Sequence, residues 1–135
     1  MDTCAVIWLM AGVLSPPVVA RITAAGTAGG IYVSPVSAWE IGMLARAKPG
    51  RISVPQFLPD PATWFATLMS RPGIKPASLT PSIAIDASFL PGELHSDPAD
   101  RLLVATSRAM GLPIATGDRK IIAYAAAGHV DVIAC

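Results

Sequence analysis

The chain has few charged residues, few aromatic residues and only two cysteines. Of its 135 residues, 14% are charged and 6% are aromatic, whereas 53% are hydrophobic, and the mean hydropathy is +0.54. The net charge of +1 creates no global field that would draw the chain to nucleic acid, so polyanion binding requires local patches or metal ions. The apolar composition indicates a largely buried sheet, or a partner that covers part of the surface.

The cysteine content and the N-terminal region predict a cytoplasmic protein without a membrane partner. Cys4 and Cys135 lie near opposite ends and form neither a disulfide framework nor a zinc-binding spacing, which is typical of a reducing compartment. The apolar run 4–14 has eleven residues and is too short to span a bilayer. Asp2 precedes it without any Lys or Arg, which is the wrong charge for a signal peptide.

Short apolar strands alternate with helical segments along the whole chain. This alternation predicts a single α/β domain over residues 1–135, in which helices flank both faces of a parallel sheet. Right-handed crossovers place the carboxyl ends of all strands at one edge, where ligands bind in such folds. Pro76 indicates that one strand lies at an edge of the sheet. The predicted strands are 31–34, 74–79, 112–116 and 130–134.

Acidic residues are concentrated at predicted helix starts. Asp97 and Asp118 have the position of N-caps, and Asp100 falls in the first turn of the helix that follows Asp97. Glu40 follows Ser37 with the spacing of a capping box. Capping explains each acid singly. Gathered at one edge of a sheet, however, the carboxylates repel one another unless a hard cation such as Mg²⁺ or Mn²⁺ lies between them. The residues alone leave both interpretations open.

Other site chemistries have little support in the sequence. His95 and His129 are far apart, and each is interpreted as structural. The sequence contains neither a GxGxxG nor a Walker A loop. A different class of function stays open, namely a small-molecule α/β enzyme whose acids only cap helices and which needs no metal.

Four short motifs follow one another along the chain, and the third is the most specific. They are Asp2-Thr3-Cys4 with Ile7-Trp8-Leu9, then Val33-Ser34 with Ser37-Ala38-Trp39-Glu40-Ile41, then Leu90-Pro91 with the run from His95 to Ala105, and finally Ala115-Thr116-Gly117-Asp118-Arg119. In order and spacing the motifs resemble those of the PIN-domain ribonucleases, specifically the VapC-type toxins of bacterial toxin–antitoxin pairs.

This resemblance implies a Mg²⁺- or Mn²⁺-dependent endoribonuclease that hydrolyses RNA phosphodiester bonds as the toxin of such a pair. Asp2, Glu40, Asp100 and Asp118 would form the catalytic set, with Asp2 and Asp100 as the principal metal ligands and Asp97 as an auxiliary. The resemblance also implies a homodimer and a cognate antitoxin protein as partner. The alternative is a catalytically inactive PIN-like domain that only binds an antitoxin or RNA.

The chain departs from the family pattern at two places. Cys4 stands where the family usually has His, and only Met1 precedes Asp2, where family members carry a short apolar strand. That strand would lie between the strands 31–34 and 112–116. We therefore expect a truncated first strand, with unpaired backbone groups in its two neighbours.

Two surface features are also predicted. The short helices around Trp8 and Trp64 indicate exposed apolar surface that a partner could cover. The basic residues Arg46, Lys48 and Arg51 follow the Glu40 helix, where they form either a solvated helix end, the favoured interpretation, or a set of phosphate contacts.

Overall fold

The computed structural model describes residues 1–46 and 56–135. In this part of the chain, short parallel strands alternate with helices, which confirms the predicted α/β class. A 3₁₀ turn, Ala87–Phe89, follows the fifth helix. The helices are α1 (Thr3–Ala11), α2 (Pro16–Gly29), α3 (Pro35–Ala45), α4 (Pro61–Met69), α5 (Pro81–Asp86), α6 (Pro98–Met110) and α7 (Arg119–Ala126). The strands are β1 (Ile31–Val33), β2 (Ile74–Pro76), β3 (Ile114–Thr116) and β4 (Val132–Ala134).

The start of α3 differs from the prediction. Ser34, not Ser37, is the N-cap, because its Oγ accepts the N–H of Val36 at 3.2 Å and Pro35 supplies a first helical residue with φ already fixed. Ser37 is fully buried in the first turn. The predicted capping box is therefore wrong, and Glu40 lies well inside α3 rather than capping it.

The strands form two parallel pairs. Strand β1 pairs with β2, and β3 pairs with β4, each through three residues in register. Strand β2 ends at Pro76, earlier than predicted, and within the described residues it pairs on one side only. This agrees with the edge position that its proline predicts, since proline has no N–H for a second neighbour.

Helices cover both faces of β3. Ile114 packs with the α6 residues Leu103 and Val104, whereas the next residue, Ala115, packs on the opposite face with Ala5 of α1 and Ile22 of α2. Successive residues of a strand point to opposite faces, so both faces of this strand are buried.

A slot separates β1 from β3, and Met1 and Asp2 lie across one end of it. The N-terminal nitrogen of Met1 donates to Tyr32 O at 3.0 Å, and the Asp2 N–H donates to Ala115 O at 2.9 Å. These two residues occupy the position expected for the first strand. Beyond them the slot is an apolar cleft between α2 and α6, lined by residues that include Ile31, Leu103 and Ile114.

The ladder pattern shows which backbone groups face the slot. Ile31 and Val33 bond towards β2, because Ile31 N–H donates to Gly73 O and Val33 O accepts from Ala77 N–H. Alternate residues of a parallel strand bond to opposite sides, so the N–H of Tyr32 faces the slot. The same alternation directs the N–H of Ala115 into the slot from β3.

The exposed apolar side chains extend beyond the two predicted helices. Trp8 and Trp64 are half-buried, and Trp64 packs edge-on against Phe57 with ring centroids 5.1 Å apart. The exposed positions include Trp39 and Met43 of α3, at 58% and 51% exposure. The rings of Trp8 and Trp64 are therefore partly accessible, and exposed apolar residues lie near each helix, namely Val13 after α1, at 67% exposure, and Leu58 before α4, at 68%.

In the described part of the chain, no single helix has the length and hydropathy needed to cross a membrane. Thr3–Ala11 and Pro16–Thr27 meet those criteria only as a pair, and the pair is bent by 111°.

Candidate active site

Three acidic side chains cap helices that begin at the same edge of the molecule. Asp2 Oδ1 accepts the N–H of Ala5 at 2.6 Å and caps α1. Asp97 Oδ1 accepts the N–H groups of Ala99 and Asp100 and caps α6. Asp118 Oδ1 accepts two N–H groups of the first turn of α7. The helix N-termini favour these negative charges, so capping fixes the direction of each carboxylate.

The turn between β3 and α7 brings Asp118 close to the end of the strand. Its N–H donates to Thr116 Oγ1 at 2.9 Å. A Cβ atom at Gly117 would lie 2.6 Å from the ring of Trp8, so a larger residue there would require the indole to move. The Thr116 contact therefore holds the backbone of Asp118, the N-cap of α7, beside the end of β3.

Glu40 is held from across the molecule by α1. The Thr3 hydroxyl lies 2.5 Å from Glu40 Oε2 and 2.9 Å from Ser37 Oγ. Because a hydroxyl has one proton, Thr3 donates to the carboxylate and accepts from Ser37. Partial burial raises the pKa of Glu40, the Thr3 hydrogen bond opposes that rise, and the charges of Asp97 and Asp2 add to it.

Asp100 has the most perturbed carboxyl group of the site. Burial is the main cause that raises its pKa to about 7, and the negative charges of Asp97, Asp118, Glu40 and Asp2 add to the shift. All four neighbours are therefore close enough to destabilise the ionised form of Asp100. Its side chain is 22% exposed, so one part of the carboxyl group is accessible from solvent.

Asp2 is buried more deeply than the other acids, at 5% exposure. Its burial raises the pKa, while hydrogen bonds from Thr116 and Ala5 and the nearby N-terminal charge act in the opposite direction. These hydrogen bonds and the positive charge favour the ionised form of Asp2, whose carboxylate is largely shielded from water.

The structure brings some of the predicted residues closer together than others. Potential ligand atoms of His95, Asp100 and Asp118 all lie within 4.8 Å of one another. Glu40 and Asp2 are coupled electrostatically to Asp100 but are not members of this tighter cluster. Asp97 is exposed, and its carboxylate is occupied by the cap of α6.

Sequence reasoning assigned no site role to His95. It precedes the N-cap of α6 by two residues, and its Nε2 lies 3.2 Å from Asp100 Oδ2. The signal was its position within the most specific motif, five residues before Asp100. Arg101 fixes the segment that carries it, because the guanidinium donates to the carbonyls of Ala87, Ser88 and Leu94.

Of the three basic residues predicted near the site, the structure describes one. Arg46 follows the last residue of α3 and is exposed. Lys48 and Arg51 lie outside the described residues. In residues 1–46 and 56–135, the ion pair of these carboxylates is the one with His95, and no Lys or Arg comes within 4 Å of them.

The donor set of this edge fits a hard divalent cation. Carboxylate oxygens are the ligands that Mg²⁺ and Mn²⁺ prefer, and the neighbouring acids raise the pKa of Asp100, whose basic neighbour within 4 Å in the described part of the chain is His95. An ion between Asp100 and Asp118 would offset that repulsion.

The fold and this edge define a parallel α/β domain with an acidic candidate active site. Residues 1–127 match the family model described as the PIN domain, so the chain belongs to the PIN-domain family. It is also similar to Ribonuclease VapC22 of Mycobacterium tuberculosis (strain ATCC 25618 / H37Rv), with 30% identity over 91 residues, or 67% of this chain. The match spans 65% of that relative, which is less than two thirds of its length. No solved structure matches the chain.

Proposed function

We propose that the chain is a Mg²⁺- or Mn²⁺-dependent endoribonuclease and the toxin of a toxin–antitoxin pair. The observation that carries the proposal is the convergence of Asp100 and Asp118 to within 4.8 Å, at an edge where Asp2 and Glu40 also act on Asp100. Membership of the PIN-domain family and the similarity to a VapC ribonuclease support it.

Asp2 and Asp100 would be the principal ligands of the ion, and Asp118 would complete the carboxylate set. A bound divalent ion supplies positive charge to phosphate oxygens and lowers the pKa of a water molecule. Ligation requires ionised carboxylates, so Asp100 must lose the proton that its surroundings favour at neutral pH.

Glu40 would orient the attacking water and accept its proton. Thr3 occupies Oε2 of Glu40, which leaves Oε1 as the acceptor atom. The raised pKa of Glu40 makes it a better base than an exposed carboxylate, provided that it is ionised at the working pH. Asp97 would act through the backbone, because its cap fixes the first turn of α6, which carries Asp100.

RNA is the proposed substrate, and the cytoplasm is the proposed location. The acidic edge itself repels a polyanion, so RNA binding depends on the bound ion and on basic groups such as Arg46 at the end of α3. Lys48 and Arg51 remain predicted phosphate contacts.

A cognate antitoxin protein and a second copy of the chain are the proposed protein partners. Trp39 and Met43 are exposed one helical turn apart on α3, the helix that carries Glu40. An apolar antitoxin segment packed on this stripe would lie beside the site and block it. A chain that stays monomeric at high concentration would contradict the proposed homodimer.

The decisive experiment compares RNA cleavage by the purified protein in Mg²⁺, in Mn²⁺ and in EDTA. The proposal requires endonucleolytic products with either ion and none with the chelator. RNA binding without cleavage would instead indicate the inactive, binding-only domain. If the protein does not cleave RNA and metal does not raise its melting temperature, the result would favour the small-molecule enzyme with capping acids.

A further inference from the structure

His95 directs towards the acidic cluster a ring nitrogen that makes no hydrogen bond within the described residues. Its Nε2 is buried from solvent and has no hydrogen-bond partner in the described part of the chain. The side chain as a whole is 17% exposed, so the ring lies at the wall of the site rather than in the core. Leaving a buried polar nitrogen unpaired is costly, and such an atom requires an explanation.

The distance from His95 to Asp100 fits two ligands of one ion. Nε2 lies 3.2 Å from Asp100 Oδ2, which is within ion-pair distance, although it makes no hydrogen bond there. Neighbouring ligands of an octahedral ion with bonds of about 2.1 Å are separated by about 3 Å. Asp118 offers a third ligand atom within 4.8 Å of both. We propose that His95 Nε2 is a nitrogen ligand of the metal ion held by Asp100 and Asp118. This inference rests on the proposed function.

A nitrogen ligand changes which ion the site prefers. Mg²⁺ binds oxygen ligands almost exclusively and gives up its waters reluctantly, whereas imidazole suits transition metals. With His95 in place the site therefore selects Mn²⁺ over Mg²⁺. Without His95 the same carboxylates would distinguish the two ions much less.

Metal ligation by Nε2 would break a contact that the other ring nitrogen of His95 makes. Nδ1 of His95 accepts the N–H of Asp97 at 3.4 Å. A metal on Nε2 places the ring proton on Nδ1, so this contact must open. At 3.4 Å it is longer than a normal hydrogen bond and is weak, so little is lost.

Electron spin-echo spectroscopy of bound Mn²⁺ tests the proposal directly, because ¹⁴N nuclei of a coordinated imidazole modulate the echo. The chain has two histidines, so the assignment needs two variants and a protein free of affinity tags. His95→Gln removes the proposed ligand. His129→Gln is the matched control, because His129 stacks on Tyr124, with ring centroids 4.6 Å apart, and is not a member of the cluster.

We expect imidazole modulation in the parent and in H129Q, and its loss in H95Q. By calorimetry, H95Q should weaken Mn²⁺ binding roughly tenfold and change Mg²⁺ binding by less than about threefold. Tight Mn²⁺ binding by the parent without imidazole modulation would overturn the role of His95 and leave the acidic metal site intact. Modulation that disappears in H129Q instead would also overturn it. A parent that binds Mg²⁺ but not Mn²⁺ would overturn this inference alone, and a parent that binds neither ion would refute the proposed function together with it.

Discussion

The acidic edge and the slot between β1 and β3 are neighbouring regions that differ in charge and in backbone hydrogen bonding. At the edge, carboxylates are held close together by caps and by the Thr3 hydroxyl, although their charges repel. In the slot, apolar side chains line a cleft, and two short strand pairs are joined by the backbone of Met1 and Asp2.

The slot bears on the stability of the fold, whereas the acidic edge bears on the proposed chemistry. At the edge, the caps hold the carboxylates close together, and their repulsion destabilises the folded protein when they are ionised. Functional sites often lower the stability of a fold in this way. In the slot, Met1 and Asp2 supply one backbone hydrogen bond to each of the neighbouring strands. Asp2 belongs to both regions, because its N–H bonds across the slot and its carboxylate lies at the edge. Changes in the slot can therefore reach the site through Asp2.

The largest expected effect comes from filling the slot. A variant with about five apolar residues ahead of Met1 would supply carbonyls to the slot-facing N–H groups of Tyr32 and Ala115. At about 1–3 kcal/mol for each unpaired group, the free energy of unfolding should rise by about 2–6 kcal/mol. Thermal melts of this variant and of one with five Gly and Ser residues provide the comparison. Equal melting temperatures for the parent and the apolar variant would show that the first strand is misplaced.

The second effect concerns activity at the edge. Asp100→Asn keeps the start of α6, because Asp97 is the cap, but removes a proposed ligand charge. We expect RNA cleavage in Mg²⁺ or Mn²⁺ to fall at least about 100-fold. Asp86→Asn is the matched control, since Asp86 is exposed at the end of α5. Unchanged cleavage by D100N would reduce Asp100 to a helix-start residue.

The same substitution should stabilise the metal-free protein. The pKa of Asp100 rises from an ordinary value of 3.8 to about 7 on folding, so the folded state binds this proton more tightly. The resulting stability is complete below pH 3.8 and is lost as the pH rises through about 7. Asn resembles the protonated form at every pH.

Melts in EDTA measure this effect. At pH 8 D100N should be more stable than the parent by about 2 kcal/mol, reduced for partial exposure, or about 5–10 °C in Tm. The difference should vanish near pH 4. A D100N variant that melts below the parent at pH 8 would show that the Asp100 charge is already compensated.

Local sequence signals predicted much of this structure. Asp97 before Pro98 and Asp118 after Gly117 fix helix starts through side chains that bond to their own backbone, so neighbouring residues suffice to recognise them. The parallel α/β class follows from the alternation of short strands and helices, because that order admits few other architectures.

Long-range contacts explain what the sequence did not reveal. The spacing of Ser37 and Glu40 matched a capping box, but Ser34-Pro35 is the stronger start signal, and Ser37 is buried against Thr3. His95 lies in the most specific motif and has local partners in Asp97 and Asp100, but these do not reveal its third neighbour. Its proximity to Asp118 arises only when α6 and α7 pack together, which one sequence without its fold does not show.

The smallest expected effect is that of Thr3, which changes the pKa of Glu40 and is not itself a proposed metal ligand. Thr3→Val keeps the side-chain shape and removes the hydrogen bond that lowers the pKa of Glu40. The acidic limb of the pH–rate profile for RNA cleavage should move to higher pH by up to about one unit, because more Glu40 is then protonated. Cleavage near pH 6 should fall up to about tenfold and recover at higher pH. Thr106→Val is the control, since its hydroxyl bonds to Leu102 O within α6. An unshifted profile in T3V, or an equal shift in T106V, would show that Glu40 does not take the proton.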